Sequence, residues 1–426
     1  MSSLVAKAML PPKDDFKNLT NQLLKLHNRK MKGDVCVYTL KNAHIDSYLI
    51  YNSIMDAIRN KMTRDEVFEE ISLHTDGLFS ANELRQLYLT KGMNEIVPYI
   101  INMAKDYLRE IQCRCVTFSE IKYKLKRESN NKIRRIAIQS IKQLIFDYIA
   151  INAFFPVLYR CLGIHQCASI PGKGQIQAKD MVERWIQHDR KNTKYYIKTD
   201  IKQYFPSVNH DLLMDMIKLR VKDADLLYIM ETILNTYERG INIGSYLSQW
   251  LANYFICDVY REITENMHRV SHGKKRNMVS HAITYMDDMI IFCRTKKDRN
   301  RVYAKLKQLL TYKELEIHHT LCAKIVKGSC IDTFGFKFYT DHTIVRKRIH
   351  KRIIKLKHKI YNDGITLHNA YKLVSYNGIL VHSNSVKFIR QHNLKPYIDQ
   401  ARQKISEHDK RFILQIREKQ NSMRFA

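Results

Sequence analysis

The chain is short of glycine and proline, with 13 and 7 in 426 residues, so collagen-like, mucin-like and linker-dominated architectures are excluded. It is also short of negative charge: 42 Asp and Glu stand against 72 Lys and Arg, a formal net charge of +30. An ordinary metabolic enzyme has no use for that excess, and the partner it suits is polyanionic, nucleic acid first and an anionic membrane second. The nine cysteines contain no C-x-x-C pair, so neither a zinc site nor a disulfide framework is indicated. The start, MSSLVAKAMLPPKDDF, has no long apolar core, and the most apolar stretch, Leu144 to Leu162, is interrupted by Asp147, Pro156 and Arg160. The expectation is a chain without leader or membrane span, in a reducing cytoplasm.

What the chain does have is 45% hydrophobic and 10% aromatic residues, enough for packed cores over two to three domains. From about Tyr48 to Leu125 the pattern is helical, with capping-box signatures at Thr63-x-x-Glu66 and Ser80-x-x-Glu83. Nothing there has a catalytic spacing, and a structural or RNA-docking module is expected. Lys122 to Arg135 then turns basic, KYKLKRESNNKIRR, and leads into an apolar helical pattern, IAIQSIKQLIFDYIAINAFF. In CASIPGKGQIQA, Gly172 and Gly174 flank Lys173 in a turn whose backbone could approach a phosphate.

The chemistry concentrates downstream. YYIKTDIKQYFPSV, residues 195–208, predicts a strand that delivers Asp200 near its C-terminal end. INIGSYLSQWLAN, from Ile241, predicts a glycine turn at Gly244 leading into a buried helix. HAITYMDDMIIFC, residues 281–293, sets Asp287 and Asp288 between two β-type runs, a hairpin with carboxylates at its turn. Adjacent carboxylates in an apolar hairpin repel each other unless a cation offsets them, and Mg²⁺, held by one or two Asp plus substrate phosphates, is the natural one. Two such ions would serve nucleotidyl transfer, activating a 3′-hydroxyl and stabilising the leaving pyrophosphate. Further on, Arg301–Leu315 is expected to be helical and Thr333–Tyr339, TFGFKFY, a short strand. Arg346 to Lys359 holds eight Lys or Arg and no acid, with Ile349, Ile353, Leu356 and Ile360 spaced as one face of a helix.

This ordered set, over about residues 125 to 390, resembles the fingers and palm of a reverse transcriptase, particularly of the bacterial non-retroviral kind. KTDIKQYFPSV resembles the first palm motif, which implies Asp200 as a metal ligand, Ile201 as its backbone-carbonyl neighbour, and Phe205 as the bulky residue that screens against a ribose 2′-hydroxyl. IGSYLSQ is similar to the second palm motif, with Gly244 close to the nascent base pair and Gln249 near the template. Its form is similar to that of diversity-generating retroelement enzymes. YMDD at 285–288 resembles the catalytic hairpin, which puts Tyr285 beside nucleic acid. Lys324 falls near the following motif's lysine, and FGF at 334–336 resembles the primer grip through Phe334 and Gly335. By the same resemblance Lys132, Arg134 and Arg135 approach the incoming triphosphate, and Arg346, Arg348, Arg352 and Lys355 contact a duplex backbone from the thumb.

The resemblance implies an α+β right-hand polymerase: an N-terminal helical module (residues 1–120), fingers and a palm with an antiparallel sheet (121–340), and a helical basic thumb and tail (341–426). It implies an RNA-directed DNA polymerase using two Mg²⁺ ions, or Mn²⁺, with dNTPs, an RNA–DNA duplex and a dedicated noncoding RNA as partners, and an accessory protein or a second copy of the chain besides; a membrane is not among them. The leading expectation is an antiphage defence role. Diversification by unfaithful copying of adenines, template-independent or protein-primed DNA synthesis, and a noncatalytic RNA-binding scaffold stay open.

Overall fold

The helical stretch begins with α1 (Ser47–Ile58), whose N-cap Asp46 accepts from the Leu49 amide at 2.8 Å. The computed structural model describes residues 38–127, 133–271 and 273–422, and of residues 271 and 412–422 only the backbone. Two helices follow, α2 (Asp65–Ser72) and α3 (Ala81–Lys91); the Ser80–Glu83 capping box forms at α3, whereas α2 has Arg64, the residue after Thr63, as its N-cap and no side-chain cap. Next is α4 (Val97–Gln112), which buries Ile100, Met103, Tyr107 and Ile111.

The basic segment differs from its expected form. It is a hairpin, β1 (Lys122–Arg127) against β2 (Ile133–Ile138), so Ile136, Ala137 and Ile138 are strand and not the start of a helix. The reason is Ser140, which caps α5 (Ile141–Cys161) by accepting from the Gln143 amide. By length and composition α5 could cross a membrane, but it is the core helix of this unit: Ile145, Phe146, Ile149, Phe154 and Leu158 are buried.

After β3 (Gln166–Cys167) and α6 (Gln175–His188) comes β4 (Tyr195–Ile201), then α7 (Tyr204–Ser207), α8 (His210–Arg220), α9 (Ala224–Leu234), α10 (Tyr246–Phe255) and α11 (Cys257–Arg261). A basic hairpin, β5 (His268–Ser271) and β6 (Lys274–Asn277), precedes β7 (Val279–Tyr285) and β8 (Asp288–Cys293). Then follow α12 (Lys296–Tyr312) and β9 (Ile317–Lys324). The main sheet has the order β3-β7-β8-β4-β9, antiparallel except for β3 with β7. β8 is its middle strand and is covered on both faces, which is why MIIFC is an unbroken apolar run.

TFGFKFY does not form one strand. Phe334 and Gly335 both take positive φ, 49° and 85°, and fold the segment into β10 (Ile331–Thr333) and β11 (Phe336–Phe338), which pairs in turn with β12 (Thr343–Val345). The basic helix is α13 (Lys347–Asp363), with Ile349, Ile353, Leu356 and Ile360 buried as their spacing requires. It packs with α14 (Leu367–Leu380), α15 (Val386–Gln391) and α16 (Lys395–Ser422) in a core shared with Trp185 of α6 and Phe292 of β8.

Candidate active site

Antiparallel pairing decides which carboxylates meet. β4 and β8 run side by side in a register that pairs Asp200 with Asp288, while Tyr285 pairs with Asp288 across the two-residue turn Met286–Asp287. Met286 has φ 55°, the left-handed conformation such a tight turn needs. The Ile201 amide donates to the Asp287 carbonyl at 3.3 Å, so Ile201 lies against that turn. Three carboxylates therefore come to one end of the sheet.

Their electrostatics are those of an anion cluster. Burial, then the charges of Asp288 and Asp200 together with a hydrogen bond shared with Asp200, pushes Asp287 up to about 6. Burial and Asp200 also raise Asp288, opposed by Lys198 and Arg346. Both cations are held elsewhere: Lys198 Nζ donates to the Asp332 carbonyl at 2.6 Å, and Arg346 pairs with the Asp332 carboxylate. A divalent cation would relieve the repulsion that raises these carboxylates, so the donor set fits one. Among the described residues no group of three or more His, Cys, Asp or Glu side chains is placed to hold a metal ion by itself. Mg²⁺ takes one or two carboxylates and completes its shell with water and substrate phosphate. Asp200, Asp287 and Asp288, with the backbone of Ile201, would hold it, and bound there it would lower the charge on both the attacking and leaving oxygens.

The second palm motif is fixed to the fingers by bonds that sequence reasoning missed. Gly244 has φ 116°, and a Cβ there would come within 2.8 Å of the Ala137 carbonyl on β2. The Ala137 amide donates to the Ile243 carbonyl at 2.9 Å, so the turn is sewn to the fingers strand. Beneath it Asp147 of α5, fully buried, accepts from the Ser245 hydroxyl and the amides of Tyr246 and Leu247 at 2.8, 3.1 and 3.3 Å. Gln139 adds a 3.4 Å bond, and burial outweighs all four, pushing Asp147 up to about 6. The available signal was an acidic residue interrupting an apolar helix.

On α10, Gln249 is half-buried and its carbonyl accepts from the side chain of Asn253 at 3.1 Å. The same Asn253 amide reaches the Ala168 carbonyl at 3.1 Å and the Met286 sulfur at 3.7 Å, joining α10 to the catalytic turn. Phe205, on the short helix α7, is half-buried beside Tyr204, and its carbonyl accepts from the Ile241 amide at 2.9 Å. The first palm motif is thereby tied to the segment just before the second.

Other expected positions fall differently. Lys324 pairs with Tyr195, five residues from Asp200 along β4 or ~16 Å at the usual strand rise, because β9 runs antiparallel and carries its C-terminal end away; it does not join the carboxylates. Opposite Asp200 on β9 is His319. Arg135 lies over the Tyr123 ring at 3.6 Å and pairs with Glu238 at 2.8 Å, which directs it along the finger hairpin. Arg134 is an exposed position of β2, and Lys132 lies outside the described residues. Phe334 is buried, its ring 5.3 Å from that of Tyr285, so this turn exposes backbone rather than an aromatic face. Gly335 is held by the Arg346 amide at 3.1 Å. Arg346 is therefore a bridge between β10 and α13, not a free duplex contact, whereas Arg348 and Lys355 are exposed and Arg352 is half-buried. Lys173 is anchored inward, donating to the Gly163 carbonyl at 3.2 Å.

Residues 125–338 match the family model described as reverse transcriptase (RNA-dependent DNA polymerase), half of the chain. The chain belongs to the reverse transcriptase family. It is similar to the retron Ec73 reverse transcriptase of Escherichia coli, 25% identical over 193 residues, 42% of this chain and 59% of that enzyme. The kinship with bacterial non-retroviral enzymes is thus shared by sequence, although the chain spans only 59% of that relative's length. Among solved structures it is similar to apo telomerase from Candida tropicalis, at a TM-score of 0.43 and 12% identity, covering 98% of this chain and 89% of that one. A telomerase truncated from its C-terminal domain gives 0.38 and 14%, over 54% of this chain and 55% of that one.

Proposed function

We propose that the protein is an RNA-directed DNA polymerase that extends a primer 3′-hydroxyl by metal-dependent nucleotidyl transfer, acting in the cytoplasm on a dedicated noncoding RNA. The observation that carries this reading is the register pairing Asp200 with Asp288 beside Asp287, a carboxylate cluster that a pure RNA binder would have no reason to keep. Asp200, Asp287 and Asp288 hold the metals, Phe205 lies along the sugar of the incoming dNTP, and Gly244 permits close approach of the base pair. Residues 1–120 serve as a structural or RNA-docking module, and the exposed face of α13 as the thumb. The role we favour is antiphage defence, while the IGSYLSQ motif favours diversification.

The test is purification of the chain from its native locus, with sequencing of copurified nucleic acid, alongside Asp287→Ala/Asp288→Ala. A single neighbouring RNA in both preparations with complementary DNA only in the wild type supports the proposal. Adenine-directed errors in that DNA would assign diversification, and repetitive or phage-induced products defence. DNA that persists in the double variant, or none in either preparation, overturns it.

A further inference from the structure

At the end of the palm sheet opposite the carboxylates, the β5–β6 hairpin, the start of β7 and the end of β8 enclose an open cavity of about 510 Å³. Arg294 on its wall is six residues beyond Asp288, ~20 Å at ~3.3 Å per strand residue, so nothing bound there touches the polymerase cleft directly.

Four cations line this cavity, Arg269, Lys275, Arg276 and Arg294, against two carboxylates, Asp189 and Asp298. Both carboxylates are engaged. Asp189 accepts from Asn192 at 2.9 Å and lies 2.7 Å from His281, whose ring stacks on Trp185; Asp298 accepts from the Thr295 hydroxyl at 2.6 Å and faces Arg269 at 3.4 Å. Among the described residues, Lys275, Arg276 and Arg294 have no carboxylate partner. Lys296 and Lys297, outside the lining, follow in the first turn of α12, where the helix dipole is already positive. The fold gains no stability from cations gathered there; an anionic ligand would.

We propose that this cleft binds the phosphate backbone of RNA, as a second contact outside the polymerase cleft; this rests on the reading of the protein as an RNA-directed polymerase. The lining chooses among anions. No Phe, Tyr or Trp lines the cavity to stack a base, and Val279 is its one aliphatic wall. A protein interface would need an apolar centre that is missing. Apart from Asn192 and His281, which are engaged with Asp189, what remains are Lys and Arg with the neutral donors Asn277 and Ser280, the groups that contact phosphate oxygens without reading bases. The cleft therefore holds RNA in place without sequence preference while the cleft around Asp200 does the chemistry.

The experiment uses the full chain as wild type, as Lys275→Ser/Arg276→Ser/Arg294→Ser, and as the charge-keeping Lys275→Arg/Arg276→Lys/Arg294→Lys. Binding of a labelled single-stranded RNA is measured across a salt series, and extension of a short RNA–DNA template–primer is measured in parallel. The serine variant is expected to bind at least about tenfold more weakly, with a salt slope shallower by about 2, as three lost single-strand phosphate contacts at about 0.7 each require. The charge-keeping variant should bind as the wild type does, and all three should extend the short template–primer equally. A serine variant that extends normally but keeps wild-type affinity and slope overturns the RNA site, and leaves an acidic protein surface as the partner. Equal weakening in the charge-keeping variant also overturns it, because the effect would then be one of folding. A wild type that binds RNA but fails to extend the template–primer counts against the polymerase reading alone.

Discussion

Asp147 accepts a 2.8 Å hydrogen bond from the Ser245 hydroxyl, so a carboxylate on the core helix caps the helix that follows the second palm motif. The bond holds Gly244 and Gln249 to one geometry, and the carboxylate complements the positive end of α10. Asp147→Ala strands the Ser245 hydroxyl and two amides in a dry site and should lower the unfolding free energy by about 3 kcal/mol. Urea unfolding measures this.

The same residue makes stability depend on pH. Its carboxyl is raised from 3.8 to about 6, so between those values the folded chain holds a proton that the unfolded chain has lost. Asp147's contribution is therefore full below about 4, declines as pH rises to about 6, and is level above that. The difference in unfolding free energy between wild type and Asp147→Asn should fall across this window. A difference that is flat from pH 4 to 7 contradicts the assignment.

The clustered carboxylates Asp200, Asp287 and Asp288 should be costly to the protein when no cation is present. Asp287→Asn removes one member of a mutually repelling set, so in chelator the variant should be more stable than wild type by about 1 kcal/mol. Added Mg²⁺ should raise the melting temperature of the wild type and leave the variant nearly unmoved. Primer extension by the variant should fall by on the order of a hundredfold to a thousandfold.

Gly244→Ala forces a Cβ to within 2.8 Å of a main-chain carbonyl at a φ of 116°. The expected cost is about 2 kcal/mol of stability, together with a loss of extension greater than the loss of folded protein. Circular dichroism and primer extension on the same preparation separate the two.

Phe205 is half-buried at the start of α7 with its carbonyl tied to Ile241, and the proposed function sets it against the ribose of the incoming nucleotide. Phe205→Ala should reduce the preference for dNTPs over NTPs by about tenfold or more, read as the ratio of kcat/KM values. An unchanged ratio removes Phe205 from substrate selection.

Much of the site was legible because each palm motif is local. YYIKTDI alternates as a strand, ITYMDDMIIF has a turn between two β runs, and the glycine before SYLSQWLAN marks the start of a helix; all three formed. Local pattern was a poorer guide where apolar residues were compatible with either period. IAI before Gln139 is strand, because the Ser140 cap starts the helix later. TFGFKFY is a hairpin, because two consecutive residues take positive φ. Lys324 was placed by resemblance to the following motif's lysine, and antiparallel β9 carries it away from the carboxylates.

The sequence by itself determined the periodicity of the strands and helices, the acidic turn at 287–288, and the one-sided charge of α13, since these depend on neighbours three or four residues away at most. Only the tertiary structure decided that Asp200 faces Asp288, that Asp147 caps α10, and that Arg346 is consumed by Asp332. It also decided that Lys275, Arg276 and Arg294 surround one cavity. Those are pairings between segments far apart in the chain, fixed by strand register and by burial of polar groups that must find partners. No local pattern encodes which partner each one finds.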